Sequence, residues 1–198
     1  MNQEKQKGLI QSLAEKANLE PKQFELTIRQ TVMPANHTNE QLAAFLMVAK
    51  KYDLDPILQE IYAFPSRGGI KPIVSVDGWM TLINRHPDFD GMTFEDALDD
   101  VGNLISVTCK MYRKDRNHPV EVTEYMKECK RDTEPWKKWP ARMLRHKASI
   151  QAARYAFGFA GIYDPDEAER ISEVEAEVLP DFIDEEKDMF YDLIEKAD

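Results

Sequence analysis

The densest chemistry in this sequence is cationic. Lys138, Arg142, Arg145, Lys147 and Arg154 fall within seventeen residues together with His146, and no acid interrupts them. Pro140 suits the first turn of a helix running to about Phe157, and such a helix turns about 100° per residue. On it, Arg142, Arg145, His146 and Ser149 share one face, while Lys147, Gln151 and Arg154 form a second polar stripe. Met143 and Ile150 lie on an apolar strip between the two, and Leu144, Ala148 and Tyr155 on another side. A solvated surface helix usually carries one apolar face and mixed charge. Uncompensated cations this close repel one another and call for an anion, and a run of phosphates supplies one. The competing reading pairs this basic helix face with the acidic tail.

Aromatic residues interleave with the cations: Trp136, Trp139, Tyr155, Phe157 and Phe159. Sequence-neutral binding of single-stranded nucleic acid combines cations that track phosphates with flat side chains that touch bases. Phe157 and Phe159, beside glycines, read as core. Trp136 and Trp139 stand among Pro and Lys, which makes Trp136 a contact candidate. A second cationic group, Arg113, Lys114, Arg116 and His118, falls at a charged turn. With Lys110, Lys130 and Arg131 it would form one wall of a groove whose other wall is the helix, and Arg67 and Lys71 would extend it.

Catalytic constellations are weak by comparison. Asp88, Asp90, Glu95, Asp96, Asp99 and Asp100 could hold Mg²⁺ as in a nuclease. They follow one another in a stretch that reads as a solvated acidic loop. Gly68-Gly69 lacks the Gly-Lys-Ser/Thr of a phosphate loop, and no Gly-x-Ser-x-Gly occurs. Cys109 falls mid-strand and is expected to be buried and inert. Four histidines and two cysteines leave no dedicated zinc site or disulfide scaffold and fit a reducing cytosol. The expectation is therefore a binding protein, not an enzyme. Its rivals are an interaction module whose acidic end mimics DNA, and a Mg²⁺-dependent nuclease.

The elements that must position these residues give an α+β fold of helices with β-hairpins and a small antiparallel sheet. Helices are expected over 3–17, 21–31, with Phe24, Ile28 and Thr31 on one face, and from Gln41 to Tyr52, opened by a Thr38–Gln41 capping box. Residues 60–64 and 70–76 read as a hairpin around Pro65-Ser66-Arg67-Gly68-Gly69, with Pro72 placing its strand at an edge or bulge. Asp77 is the expected cap of a short helix through Trp79, Leu82 and Ile83. Leu104 to Arg113 and Val120 to Met126 read as strands, and 166–174 and 182–196 as helical, with a joint at Leu179-Pro180.

The whole chain of 198 residues has net charge −10, which argues against nucleic acid only until it is divided. Residues 1–99 carry net −4, residues 100–161 net +6 and residues 162–198 net −12. Salt screens charges beyond roughly 8–10 Å, so the middle third can bind an anion while the acidic end stays away. The division expected is a core over 1–171 with an acidic tail over 172–198, helical or disordered. No apolar run approaches the ~18 residues of a membrane span, and the polar N-terminus leads into no signal-peptide core.

Several motifs together resemble one family: Leu54-Asp55-Pro56, Glu60-Ile61-Tyr62-Ala63-Phe64-Pro65, Val76-Asp77-Gly78-Trp79, the run from Tyr112 to Pro119, Arg142-Met143-Leu144-Arg145-His146-Lys147-Ala148, and the run from Ala156 to Asp164. They are similar, in order and over roughly residues 20–171, to the Red-beta branch of the RecT/Red-beta superfamily of single-strand annealing proteins. The resemblance implies a phage recombination protein that coats 3′ single-stranded DNA left by a partner exonuclease and anneals it without ATP. It implies rings and helical filaments of identical subunits, a basic DNA groove along the oligomer, and an annealed duplex intermediate. A host single-strand-binding protein is a further partner, the bacterial cytoplasm the location. No cofactor is required, Mg²⁺ serving at most as a counterion of the DNA. Carried over to matching positions, Arg142, Arg145, His146, Lys147 and Arg154 would line the groove, with Lys114 and Arg116 on the hairpin. Ala141 stands where the family usually carries a base, and the family's C-terminal partner-binding domain is expected to be missing or reduced to 172–198.

Overall fold

Three helices, α1 (Gln3–Lys16), α2 (Pro21–Thr31) and α3 (Asn39–Tyr52), open the fold. A computed structural model describes residues 3–66, 69–168 and 170. Arg67 and Gly68, the helical stretch expected over 182–196 and the joint at Leu179-Pro180 lie outside the described residues. Pro21 starts α2, which buries Phe24 and Ile28. Thr31, expected on that face, is exposed instead and its Oγ1 donates to the Thr27 carbonyl. The capping box of α3 is formed: Gln41 N donates to Thr38 Oγ1 at 3.2 Å and Thr38 N to Gln41 Oε1 at 3.0 Å. It secures the helix that buries Leu42, Phe45, Leu46 and Ala49.

Strands β1 (Ile61–Ser66) and β2 (Gly69–Val74) form an antiparallel hairpin with Pro72 opposite Ala63. On the far side of β2 the chain returns after the helix over 140–157: Tyr163 N donates to the Pro72 carbonyl and Val74 N to the Tyr163 carbonyl. Helix α4 (Val76–Arg85) follows. Its cap is Ser75, whose Oγ accepts from Gly78 N at 3.1 Å. Asp77, the expected cap, lies one step inside the first turn, where its charge still favours the helix dipole. Gly78 is required by packing, since a Cβ there would stand 2.2 Å from the Glu60 carbonyl oxygen. The Glu60 carboxylate in turn accepts from Asp55 N at 2.8 Å and Thr81 Oγ1 at 2.9 Å. Three of the sequence motifs thus fold onto one another as framework.

Strands β3 (Phe89–Leu98), β4 (Leu104–Arg113) and β5 (Val120–Tyr125) form an antiparallel sheet in that order. The acidic stretch read as a loop is strand β3. Its acids are poor strand formers, but Phe89, Met92 and Phe94 pack inward against the sheet's core and Thr93 and Glu95 stay outside. A register shift between Phe89 and Met92, spanning Gly91 at φ 104°, keeps this alternation in phase with β4. Short helices α5 (Met126–Cys129) and α6 (Glu134–Lys138) were not legible in the sequence; α7 (Pro140–Phe157) has the limits its sequence predicts. Gly158, at φ 72°, ends it in the left-handed region that favours glycine.

Two cores result. One gathers α1–α4 around Phe45, Leu46, Ile61 and Trp79, and the other lies between α7 and the three-stranded sheet, around Val107, Cys109, Met111 and Leu144. Met80 and Phe159 pack against both. Helix α7 sends Ile150 to the first and Ala148, Ala152 and Ala156 to the second. Those small side chains let α7 sit close to β4. Each fully buried Leu, Ile or Phe stabilises the fold by roughly 1.5–3 kcal/mol.

Candidate nucleic-acid interface

The first polar face of α7 borders a cleft of about 460 Å³. Arg142, Arg145, His146 and Ser149 form one side with Ala141, and Met80 of α4 with Met92 and Phe94 of β3 form the other. Arg142 is exposed, its guanidinium 5.2 Å from the ring centre of Trp139, itself half exposed. Arg145 lies 5.6 Å from the Phe94 ring and bonds Asp96 Oδ2 at 2.7 Å. With its side chain 47% exposed, it keeps donors toward solvent. Burial, and then the Arg142 charge, pull the His146 pKa below its usual value against the opposing pull of Asp77. His146 is therefore a neutral imidazole at pH 7. The Ser149 hydroxyl is spent within the helix, donating to the Arg145 carbonyl at 2.7 Å.

The second stripe has a different surrounding. Lys147 Nζ meets Asp164 Oδ2 at 2.7 Å, the two side chains only 12% and 2% exposed. Arg154 makes two bonds to Glu167, at 2.8 and 2.6 Å, and a third to the Ile162 carbonyl. Asp164 and Glu167 also cap one another's backbone, Asp164 N to Glu167 Oε2 and Glu167 N to Asp164 Oδ1, which starts a helical segment over 165–168. Gln151 shares a smaller cleft with Cys129, Asp166 and Arg170. The alternative weighed for the helix, pairing with acids that follow it, describes this stripe.

The remaining candidates divide likewise. Arg113, 11% exposed, bonds Asp115 and Asp88, donates to the Ala156 carbonyl and lies 5.5 Å from the Phe157 ring, tying the β4–β5 turn to the end of α7. Lys114 is exposed and donates to the Pro87 carbonyl, and Arg116 and His118 are exposed in that turn. Lys110 bonds Glu95 at 2.7 Å, which holds its pKa above the usual value. Lys130 is exposed and Arg131 half-buried. Lys71 Nζ lies 5.9 Å from the Tyr163 ring, and Arg67 is outside the described residues. Trp136 corrects the sequence reading: α6 lays it wholly into the second core, with Nε1 donating to Asp166 at 3.2 Å. Trp139 is the exposed tryptophan, and Tyr155, set beside Leu144 and Ala148 in the helical reading, is 73% exposed. The apolar side of the cleft was missed altogether. Its signal was the inward series Phe89, Met92, Phe94, hidden among acids.

The six carboxylates do not converge. Asp88 goes to Arg113, Glu95 to Lys110, Asp96 to Arg145, and Asp99 accepts from Val101 N and Asn103 N in its own turn. Glu95 and Asp96, adjacent on a strand, point to opposite faces. Among the described residues, no three His, Cys, Asp or Glu side chains gather to hold a metal ion. Burial pushes the Cys109 thiol up to about 11, and burial with a bond to Glu124 pushes Cys129 to about 12, so neither is a ready thiolate. No helix among the described residues is long and apolar enough to cross a membrane.

The recombination protein bet of Escherichia phage lambda is 49% identical to this sequence over 179 residues, a match covering 83% of this chain and 66% of the phage protein. The chain therefore spans just under two thirds of that relative's length. The RecT family pattern matches residues 21–179. It begins at the first residue of α2 and takes in the second core, the first core without its α1 side chains, the cleft and the Asp164–Glu167 clip. By that extent of match, and by the identity to the phage recombination protein, the chain belongs to the RecT family.

Proposed function

We propose that this chain coats single-stranded DNA and pairs it with a complementary strand, without ATP, in phage homologous recombination. The observation that carries the reading is the Arg142–Arg145–His146 face of α7, open to solvent beside an apolar cleft, in a RecT-family chain akin to a phage recombination protein. Phosphate–phosphate repulsion opposes pairing, and a cationic surface lowers it. Holding strands extended with bases outward reduces the entropy lost in finding register. Base pairing supplies the driving force, about 1.4 kcal/mol per stacked step, so no catalytic group or cofactor is called for and sequence need not be read.

Arg142 and Arg145 are the primary phosphate contacts in this reading, with Lys114, Arg116, Lys130, Arg131 and Lys71 as further cations for the strand. Lys147, Arg154 and Arg113 reach phosphate only by exchanging their carboxylate partners. Residues 1–171 act as the DNA-binding and self-assembling unit, in the host cytoplasm. A partner exonuclease and a host single-strand-binding protein supply and clear the strand. The test is annealing of two complementary oligonucleotides carrying a fluorescence-transfer pair, without nucleotide cofactor. Acceleration over the protein-free rate, lost at high salt, is the expected result. Salt-sensitive binding with no acceleration, or strand cleavage on adding Mg²⁺, would overturn it.

A further inference from the structure

We propose that the cleft between α7 and β3 takes one unstacked nucleobase from the bound single strand, a step that rests on the DNA reading above. A surface serving phosphates alone gains nothing from an apolar floor, yet Met80, Met92 and Phe94 form one in the same cleft as two arginines. A nucleotide needs both parts at once: a flat ring that leaves water, and an anion that stays at a cationic rim. The volume, about 460 Å³, falls within the roughly 300–1,000 Å³ of pockets that enclose small ligands. The Arg145 guanidinium lies 5.6 Å from the Phe94 ring and Asp96 holds it from β3 at 2.7 Å, so the rim is in place before DNA arrives. Half-buried His146, neutral at pH 7, offers one donor and one acceptor nitrogen, the complement of a base edge. Asp96 and Asp77 are the acids near this rim, and Asp96 already shares its charge with Arg145.

A base inside the cleft is withheld from pairing. Annealing therefore draws it out, and the cleft is filled on a single strand and empty on a duplex.

The experiment compares affinity of the full chain for an oligonucleotide and for an abasic one of equal length and charge, and reads the fluorescence of 2-aminopurine placed at successive positions. Two variants are used. Phe94→Ala removes the floor. Ala141→Leu adds bulk at the mouth from an exposed position and leaves the core intact if Phe94→Ala does not fold. The expected result is a preference of about fivefold or more for the base-bearing strand, falling toward parity in both variants while abasic affinity stays within about twofold. The 2-aminopurine signal should change on binding, revert when the complementary strand is added, and be absent in Ala141→Leu. Equal wild-type affinity for the two strands, or a preference that both variants retain, would overturn the base site. A drop in oligomer mass in Ala141→Leu with base preference intact would assign the cleft to a second copy of the chain. Absence of salt-dependent binding to either oligonucleotide would instead defeat the DNA reading itself.

Discussion

At the scale of residues, one helix carries two sets of cations with opposite fates, and a pair of substitutions separates them. Arg145→Ala should weaken single-strand binding uniformly across sequences and lower the magnitude of the log–log salt slope by about 0.7. Lys147→Ala removes the partner of a carboxylate that is 2% exposed. Its first effect should be on stability, a loss of about 3–5 kcal/mol, read by urea unfolding. Equal stability of the two variants would place Lys147 with the binding face instead. His146 adds a pH dependence with a definite sign. Its folded pKa is depressed, so its contribution to stability is present above the unfolded value of about 6.5 and is lost as pH falls through the folded pKa. A phosphate nearby favours the imidazolium and offsets that loss. Affinity should then rise on acidifying from about pH 7.5 to about 6, and His146→Gln should flatten that part of the profile. The two tryptophans show where residue-level reading ends. Trp136 and Trp139 have nearly the same neighbours in sequence, and only the fold of α6 against α7 buries one and bares the other.

At the scale of elements, what local rules specify was legible, and what tertiary context specifies was not. The Thr38–Gln41 box, Pro140 and Gly158 bracket α3 and α7 through backbone donors and dihedrals that a few neighbouring residues decide. Thr38→Ala should therefore cost about 1 kcal/mol, a fall of about 2–4 °C in melting temperature for a chain of this size, measurable by calorimetry. Strand β3 was illegible because its acids outweigh its three inward apolar residues in any local count. Pairing with β4, and cations from β4 and α7 against Glu95 and Asp96, override that bias. The cleft was missed with it, since two of the three residues on its apolar side, Met92 and Phe94, come from β3. Gly78 shows the reverse case: a motif glycine whose reason is a neighbour eighteen residues earlier in the chain. Gly78→Ala should open the contact between α4 and the Glu60 carbonyl, with loss of cooperative unfolding as the measurement.

At the scale of the whole molecule, the question is how a chain of net charge −10 would keep the Arg142–Arg145 face open to the proposed DNA. Residues 162–198 carry net −12, and the first acids of that run already sit on cations, Asp164 on Lys147 and Glu167 on Arg154. The rest of the run, beyond residue 171, adds most of the charge. At a surface, opposite charges a few ångströms apart attract by up to a few kcal/mol before screening, and exposed pairs keep about 0–1 kcal/mol of it. A run of acids that reached the Arg142–Arg145 face would compete with phosphate, weakly per charge and appreciably in sum. Deleting residues 172–198 should tighten single-strand binding at low salt, and the gain should shrink as salt rises, because screening removes the competitor and the ligand's own attraction together. Phe182, Ile183, Phe190, Leu193 and Ile194 give the same segment a second possible use, a contact with another subunit or a host protein. Light scattering on the truncated chain separates the two. Tighter binding at unchanged mass assigns the run to competition for the Arg142–Arg145 face. A fall in mass without tighter binding assigns it to assembly, and no change in either leaves it as a solubilising charge.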